Sequence, residues 1–191
     1  MAEPSDAELM SWTREGDREA FARLVDRYKD PLVNYLTRLA GCRSRAEDLA
    51  QEAFLRVFQR ATDYDEQGKL QAFLYRVATN LLRSEERRAR RWRLLEPFLA
   101  NGSTNGHHAA WAPAAEPVLA REVREQVAAA VTALPLRFRV PLVLFEVEGW
   151  SYADIARQVG CREGTVKSRI HRSKQRLRRR LEPYWNHGGP A

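Results

Sequence analysis

The chain has 191 residues, of which 44% are hydrophobic and 30% charged, and its formal net charge is +7 at pH 7. This composition suits a folded helical protein and is too apolar for a disordered one, and no apolar run reaches the ~18–20 residues that a membrane-spanning helix needs. A sequence pI near 9.8 favours a cytoplasmic protein that binds a polyanion such as nucleic acid and does not insert into a membrane.

Three helix starts can be predicted from side chains that cap exposed backbone amides. Ser5 with Glu8, and Ser44 with Glu47, have the serine-to-glutamate spacing of a capping box. Asp17 is a further candidate N-cap. Both serines and the aspartate are therefore expected immediately before a helix.

Apolar residues at steps of three and four predict the helices of the first part of the chain. The first long run covers residues 17–39, where Pro31 is expected to cause a kink or a short break. A second helix is predicted over residues 45–60. A polar loop at 62–68 and a helix over residues 70–93 follow.

The composition changes between residues 94 and 120, where no Lys or Arg occurs. An Asn-, Gly- and Ser-containing run at 101–106 and three prolines predict a flexible linker. The expected fold class is therefore all-α, with two helical modules joined by this linker. The predicted ranges are 1–93 for the first module, 94–117 for the linker, 118–184 for the second module and 185–191 for a tail.

The second module is expected to contain a helix-turn-helix. Helices predicted over residues 123–134 and 136–148 lead into a short amphipathic helix that Ser151 can cap. Gly160 ends this helix, because glycine allows the positive φ with which the chain reverses. A basic helix over residues 162–181 follows, in the position of a recognition helix that enters the DNA major groove.

The last predicted helix is the most highly charged part of the chain, since residues 162–181 carry nine cationic side chains and one acid. Val166 and Ile170 are expected to anchor it on its inner face. Arginine and lysine on the outer face can donate to guanine or to phosphates. A solvated basic helix without a DNA ligand is the alternative. The candidate residues for duplex DNA are Arg162, Thr165, Lys167, Ser168, His171, Arg172 and Arg176.

Both halves of the chain resemble the extracytoplasmic-function (ECF) sigma factors of bacterial RNA polymerase, which belong to the sigma-70 family and have regions 2 and 4 only. Residues 149–156 and 164–172 are similar to region 4.2, the helix-turn-helix of that family. Residues 46–57 resemble the region 2.2 helix, and residues 73–80 resemble region 2.3 leading into region 2.4. The two signatures occur in the order of the family.

The resemblance implies that the core polymerase is a partner. In this family the region 2.2 helix docks on the clamp helices of the β′ subunit, and a contact between the second module and the β flap is expected. An ordinary solvated helix face is the alternative reading of the same residues. The candidate polymerase-binding residues are Asp48, Leu49, Gln51, Glu52 and Leu55.

The resemblance also implies that region 2.3–2.4 melts and reads the promoter −10 element. Flat side chains can replace the stacking that unpaired bases lose, and arginines can follow the backbone. Phe73 and Tyr75 are also compatible with positions in the helical core. The candidate residues for −10 DNA are Tyr64, Phe73, Tyr75, Arg76, Asn80, Arg83 and Arg87.

The implied function is that of a sigma factor, which directs core polymerase to specific promoters and initiates transcription of a stress or envelope-response regulon. An anti-sigma factor is an expected partner. Catalytic residues, metal sites and cofactors are not expected, because the four histidines and two cysteines fit no standard zinc spacing and no Gly-rich phosphate loop occurs. A free-standing helix-turn-helix regulator that binds duplex DNA without polymerase is the alternative.

Overall fold

The computed structural model describes residues 3–61, 70–95 and 118–186, and every regular element within these ranges is helical. Side chains are described in them except at residues 93–95, 118–120 and 185–186. The all-α fold class is thus confirmed. The helices are α1 (Asp6–Arg14), α2 (Arg18–Ala40), α3 (Arg43–Gln59), α4 (Leu70–Leu95), α5 (Val118–Thr132), α6 (Leu136–Glu146), α7 (Tyr152–Val159) and α8 (Glu163–Asn186).

The chain divides into two compact units, as the prediction of two helical modules requires. The first unit comprises Met1–Leu36 and Ser44–His107, and the second comprises Thr37–Arg43 and His108–Ala191. Within the predicted linker only Leu94 and Leu95 are described, as the last residues of α4. The other linker residues and the predicted loop at 62–68 lie outside the described residues, so the residue boundaries of the modules stay a prediction.

The first two helices start where their side chains predict. The Oγ of Ser5 accepts a hydrogen bond from the Glu8 N–H at 3.3 Å, while the Ser5 N–H donates to the Glu8 carboxylate at 2.8 Å. Asp17 accepts hydrogen bonds from the backbone amides of Glu19 at 2.8 Å and Ala20 at 3.1 Å. Both caps satisfy amides that have no partner within the helix, and both predictions are confirmed.

The capping box predicted at Ser44 and Glu47 is wrong. Helix α3 begins at Arg43, so Ser44 lies inside the helix and Cys42 occupies the cap position. Gly41, with φ of 75°, reverses the chain directly after α2. The next helix therefore starts before the serine is reached.

Helix α2 runs through Pro31 without a break, although a kink or a break was the sequence expectation. The proline itself is exposed, so its ring faces solvent, and its lack of an N–H removes one hydrogen bond of the helix. Leu32, Leu36 and Leu39 are each 0% exposed. Their burial anchors the turns that follow the proline and keeps the helix continuous.

The core of the first unit joins α2 to α4 through aromatic residues. The rings of Tyr35 and Tyr75 are stacked, with centroids 4.5 Å apart, and both side chains are 0% exposed. The Tyr35 hydroxyl forms a hydrogen bond of 2.8 Å with the hydroxyl of buried Thr79. This contact fixes which face of α4 points inward and which remains at the surface.

The helix-turn-helix predicted for the second unit is present in α7 and α8. The Asp154 N–H donates to the Ser151 Oγ at 3.1 Å, which caps α7. Gly160 ends α7 with φ of 68° and ψ of 49°. Ile155 of α7 packs in the same core as Val166 of α8, and both are 0% exposed. Helix α8 continues past the predicted end at residue 181.

Replacing Gly160 with alanine is expected to lower the free energy of unfolding by about 1 kcal/mol, because a side chain disfavours the left-handed backbone. The loss would come from the backbone alone, since no heavy atom lies within 4 Å of a Cβ built there. Gly164→Ala is the matched control: Gly164 lies in the first turn of α8 with equally open space, so alanine should leave stability unchanged or raise it. Urea unfolding followed by circular dichroism measures both, and equal effects would contradict the assigned role of Gly160.

Candidate nucleic-acid interface

Helix α8 separates a buried stripe from an outer face of polar and cationic side chains. Val166, Ile170, Ser173 and Leu181 are buried, and half-buried Leu177 completes their spacing of three and four. Thr165 is half-buried at the edge of the outer face. The other predicted residues for duplex DNA are exposed, namely Arg162, Lys167, Ser168, His171, Arg172 and Arg176.

Ser173 holds the recognition helix on α6 and was not among the predicted residues. Its side chain is 0% exposed, and its Oγ lies 3.0 Å from the carbonyl oxygen of Phe138 and 2.7 Å from that of Arg169. A serine within an otherwise apolar stripe is the sequence signal that could have identified this role, because a buried hydroxyl needs a partner.

Neighbouring side chains restrain several of the outer residues. The Arg176 guanidinium lies 4.9 Å from the centroid of the Phe138 ring, and the His171 ring forms a hydrogen bond of 2.9 Å with Gln175. Among the described residues, no hydrogen bond or ion pair occupies the exposed guanidinium of Arg172. Arg172 is therefore available to a ligand at the surface.

Lys174 differs from the other cations of α8 because an acid holds it. Its Nζ lies 2.7 Å from a carboxylate oxygen of Glu146, at the end of α6. This hydrogen bond raises the pKa of Lys174, so the side chain remains protonated while its charge is balanced within the protein.

Five of the predicted −10 residues form a second stripe, on α4. Steps of three and four place them on one face of the helix. The Arg76 guanidinium lies 5.5 Å from the Phe73 ring centroid, and Arg83 donates to Asn80 at 3.4 Å. Phe73 and Arg83 are half-buried, whereas Arg76, Asn80 and Arg87 are exposed. The stripe consists of Phe73, Arg76, Asn80, Arg83 and Arg87.

Tyr75 has to be removed from the candidate DNA surface. Its side chain is 0% exposed and stacks on Tyr35, so it offers no ring face to an unpaired base. It is two residues from Phe73, which turns it about 200° away around a helix. Tyr64, also predicted to contact −10 DNA, lies outside the described residues.

The predicted polymerase-binding residues form one exposed stripe on α3, with one exception. Asp48, Gln51, Glu52 and Leu55 are exposed, and Leu55 is 49% exposed. Leu49 is only 8% exposed because it belongs to the opposite, core-facing side, and we remove it from the candidate surface. The Glu52 carboxylate accepts a hydrogen bond of 2.7 Å from its neighbour on the next turn, Arg56.

The described part of the chain contains no candidate metal site and no candidate membrane span. No group of three or more His, Cys, Asp or Glu side chains there is arranged to hold a metal ion. None of the described helices is both long and apolar enough to cross a bilayer.

Comparison with known proteins shows the family of the chain. The sigma-70 region 2 family matches residues 24–93, and the sigma-70 region 4 family matches residues 124–177. The chain is 33% identical over 174 residues to the ECF RNA polymerase sigma factor SigW of Bacillus subtilis, covering 88% of this chain and 92% of SigW. It is 30% identical over 183 residues to the ECF RNA polymerase sigma-E factor of Haemophilus influenzae, covering 94% of this chain and 96% of that factor.

Solved structures have the same fold. The sigma factor RpoE of Bartonella quintana, solved with the anti-sigma factor NepR, has a TM-score of 0.67 and 24% identity, covering 85% of this chain and 96% of RpoE. CnrH, solved with the cytosolic domain of CnrY, has a TM-score of 0.65 and 23% identity, covering 94% of this chain and 99% of CnrH. Because both sigma regions match in order and SigW aligns over most of its length, the chain belongs to the family of ECF RNA polymerase sigma factors.

Proposed function

We propose that this chain is a promoter-specificity subunit, which joins core RNA polymerase in the cytoplasm and directs it to initiate at a particular set of promoters. The observation that carries the proposal is a pair of separate polar and cationic stripes, one on α4 of the first unit and one on α8 of the second. Each lies opposite a buried face. The chain itself makes and breaks no bond in this role.

The stripe on α3 is the surface that we assign to the core enzyme. Exposed acids, Asp48 and Glu52, lie on the same helix as exposed Leu55 and Phe58, whose side chains are 49% and 37% exposed. Apolar surface surrounded by charge is typical of a protein interface. The proposed partner of the α3 stripe is the pair of clamp helices of the β′ subunit. The proposed polymerase partner of the second unit is the β flap.

The stripe on α4 is assigned to the melted −10 element. A half-buried ring at Phe73 and the exposed amide of Asn80 can stack on and hydrogen-bond to an extruded base. Arg76, Arg83 and Arg87 supply cations for the strand on the same face. The combination of one flat ring, one amide and several guanidinium groups suits a single strand better than a duplex.

The outer face of α8 is assigned to the −35 duplex. Ser168, His171 and Arg172 occupy the first half of the helix, where a recognition helix meets base edges, and Lys167 on the same outer face is assigned to the DNA backbone. Arg176 lies one turn further on and is assigned to phosphate.

An anti-sigma factor is a further proposed partner, since RpoE and CnrH are each solved with a protein partner. The exposed apolar side chains of Leu55 and Phe58 on α3 are surface that such a protein could cover in place of the core enzyme. Binding of one partner would then exclude the other by simple competition.

Transcription in vitro tests the proposed function directly. Core polymerase with and without the purified chain is supplied with fragmented genomic DNA from the source cell, and RNA 5′ ends are mapped. New start sites that share sequence elements near −10 and −35 are expected only with the chain present. Specific duplex binding by the chain alone, without new start sites, would favour the free-standing regulator instead.

Arg172→Ala is expected to weaken holoenzyme binding to a mapped promoter by about 1–3 kcal/mol, if its unpartnered guanidinium contacts a base. Arg178→Ala is the control, because Arg178 is also exposed but lies on another side of α8. Binding is measured by fluorescence anisotropy on the promoter and on a copy with a scrambled −35 element. An equal loss on both DNAs would reassign Arg172 to a phosphate contact.

A further inference from the structure

We propose that the stacked rings of Phe145 and Tyr152 form an aromatic platform that positions Lys167 for the DNA backbone, while Glu146 holds the neighbouring Lys174 away from it. This inference rests on the proposed assignment of α8 to duplex DNA. Phe145 and Tyr152 would be positioning residues, acting on DNA through the lysine.

The platform joins the end of α6 to the start of α7. The ring centroids of Phe145 and Tyr152 are 4.7 Å apart and their planes differ by 15°, a stacked arrangement. Both side chains are half-buried, so each ring packs on the protein and leaves some surface free. Two stacked rings restrict each other's rotation, which makes them a firm support.

Two lysines of α8 lie over this pair of rings. The Nζ of Lys167 is 5.2 Å from the centroid of Tyr152, and the Nζ of Lys174 is 5.8 Å from the centroid of Phe145. Both distances lie within the ~6 Å at which an ammonium is attracted to a ring face. The lysines are seven residues apart on α8, about two turns, and therefore project from the same side.

The use of lysine here departs from the rest of the sequence, in which arginine predominates. The chain has only four lysines, which are Lys29, Lys69, Lys167 and Lys174. A compact ammonium has three rotatable donors, whereas guanidinium has a rigid planar fork. A ring face attracts one side of an ammonium, so its other donors remain free to meet a phosphate oxygen.

Holding Lys167 on the ring should favour DNA binding because less conformational freedom is lost in the complex. A free lysine side chain has many rotamers, and ordering them opposes association. On the platform, the ammonium is already confined near the exposed surface of α8. The ring and the phosphate would then lie on opposite sides of the same cation.

Lys174 occupies the equivalent place on the second ring, but its charge is already balanced. The Glu146 carboxylate lies 2.7 Å from its Nζ. An ammonium that is paired within the protein releases fewer counterions from DNA when the complex forms. Because Glu146 pairs with Lys174, Lys167 is the lysine of this pair that is available to DNA.

The geometry can be tested on the full chain by nuclear magnetic resonance after ¹³C-methylation of the lysines. Ring currents should move the methyl signals of Lys167 and Lys174 upfield from that of exposed Lys29, with assignment by Lys→Arg variants. Tyr152→Leu should return the Lys167 signal to the position of Lys29, whereas Tyr152→Phe should not. Signals of Lys167 and Lys29 that coincide in the unaltered chain would overturn the platform.

The effect on DNA is measured with the reconstituted holoenzyme on a mapped promoter. Tyr152→Leu should weaken binding about 2–5-fold, the range of an exposed cation–π contact, and Tyr152→Phe should restore it. In a Lys167→Met background Tyr152→Leu should have no further effect; an undiminished effect there would overturn the positioning role.

Glu146→Gln is expected to act in the opposite direction to Tyr152→Leu, and the salt dependence of DNA binding is its second measurement. Freeing Lys174 should tighten binding and increase the magnitude of the salt slope by about one. An unchanged slope would contradict the role of Glu146. If transcription shows no new start sites, the proposed function fails, but the lysine signals would be unchanged. Failure of the proposed function can therefore be distinguished from failure of the platform.

Discussion

Replacing Tyr75 with alanine is expected to lower the free energy of unfolding of the first unit by about 3–5 kcal/mol, as large aromatic truncations in cores do. The side chain is 0% exposed and stacks on Tyr35 at 4.5 Å. Its removal would leave a cavity between α2 and α4 and would remove the ring on which Tyr35 packs. Urea unfolding followed by circular dichroism measures the loss.

Phe73→Ala is the matched control, since Phe73 is an aromatic residue of the same helix on its other face. Because Phe73 is half-buried, its truncation should destabilise the chain less than that of Tyr75. Phe73→Ala should reduce promoter opening more than Tyr75→Ala does, as measured by permanganate reactivity of unpaired thymines in the −10 element. A Tyr75→Ala variant that is as stable as the unaltered chain but fails to open promoters would return Tyr75 to the DNA surface.

These two variants separate residues that similarity to a family motif had placed together. The motif spans residues 73–80 and does not by itself distinguish the two faces of α4. Helical periodicity does: Phe73, Arg76 and Asn80 follow steps of three and four, whereas Tyr75 departs from them. The same reasoning separates buried Leu49 from exposed Asp48 on α3. The face of each candidate could therefore have been predicted from spacing alone.

Helix starts show where local sequence is sufficient and where it fails. Ser5, Asp17 and Ser151 each stand directly before a helix and accept hydrogen bonds from its first amides. Ser44 has the same spacing to an acid, but α3 has already begun at Arg43. Capping preference is worth only about 1 kcal/mol, and the glycine that ends the preceding helix determines where the chain can turn.

The aromatic platform could not be predicted from any local pattern. Phe145 and Tyr152 belong to different helices, and Gly149, with φ of 69°, lies in the connection between them. Periodicity places residues on a face of one helix but says nothing about which face of the next helix meets it. The same limit applies to Ser173, whose partner Phe138 is 35 residues away along the chain. Contacts of this kind follow from packing in three dimensions.

A double charge reversal on α3, Asp48→Lys with Glu52→Lys, is expected to weaken association with core polymerase by about 2–4 kcal/mol. The physical reason is that an acidic docking stripe requires cationic groups opposite it, and like charges brought together in an interface cost several kcal/mol. Asp48 contributes to no hydrogen bond or ion pair among the described residues. Its carboxylate is therefore available to a partner.

The two substitutions differ in their effect on the stability of the chain itself, and the single variants measure each effect separately. Asp48→Lys removes no described contact. Glu52→Lys breaks the hydrogen bond to Arg56 and places two cations one turn apart, which should destabilise α3 by a few tenths of a kcal/mol. Circular dichroism should detect at most this small loss. Asp48→Lys alone should account for a large part of the weakened association.

The control for the charge reversal is Glu182→Lys, which changes the net charge of the chain by the same amount as Asp48→Lys at an exposed position on α8. Co-purification with tagged core enzyme, without DNA and over a range of salt concentrations, measures association. Retention of Glu182→Lys with loss of Asp48→Lys at moderate salt is the expected pattern. Equal retention of the two variants would mean that the core enzyme binds elsewhere, and the α3 stripe would then be an ordinary solvated face.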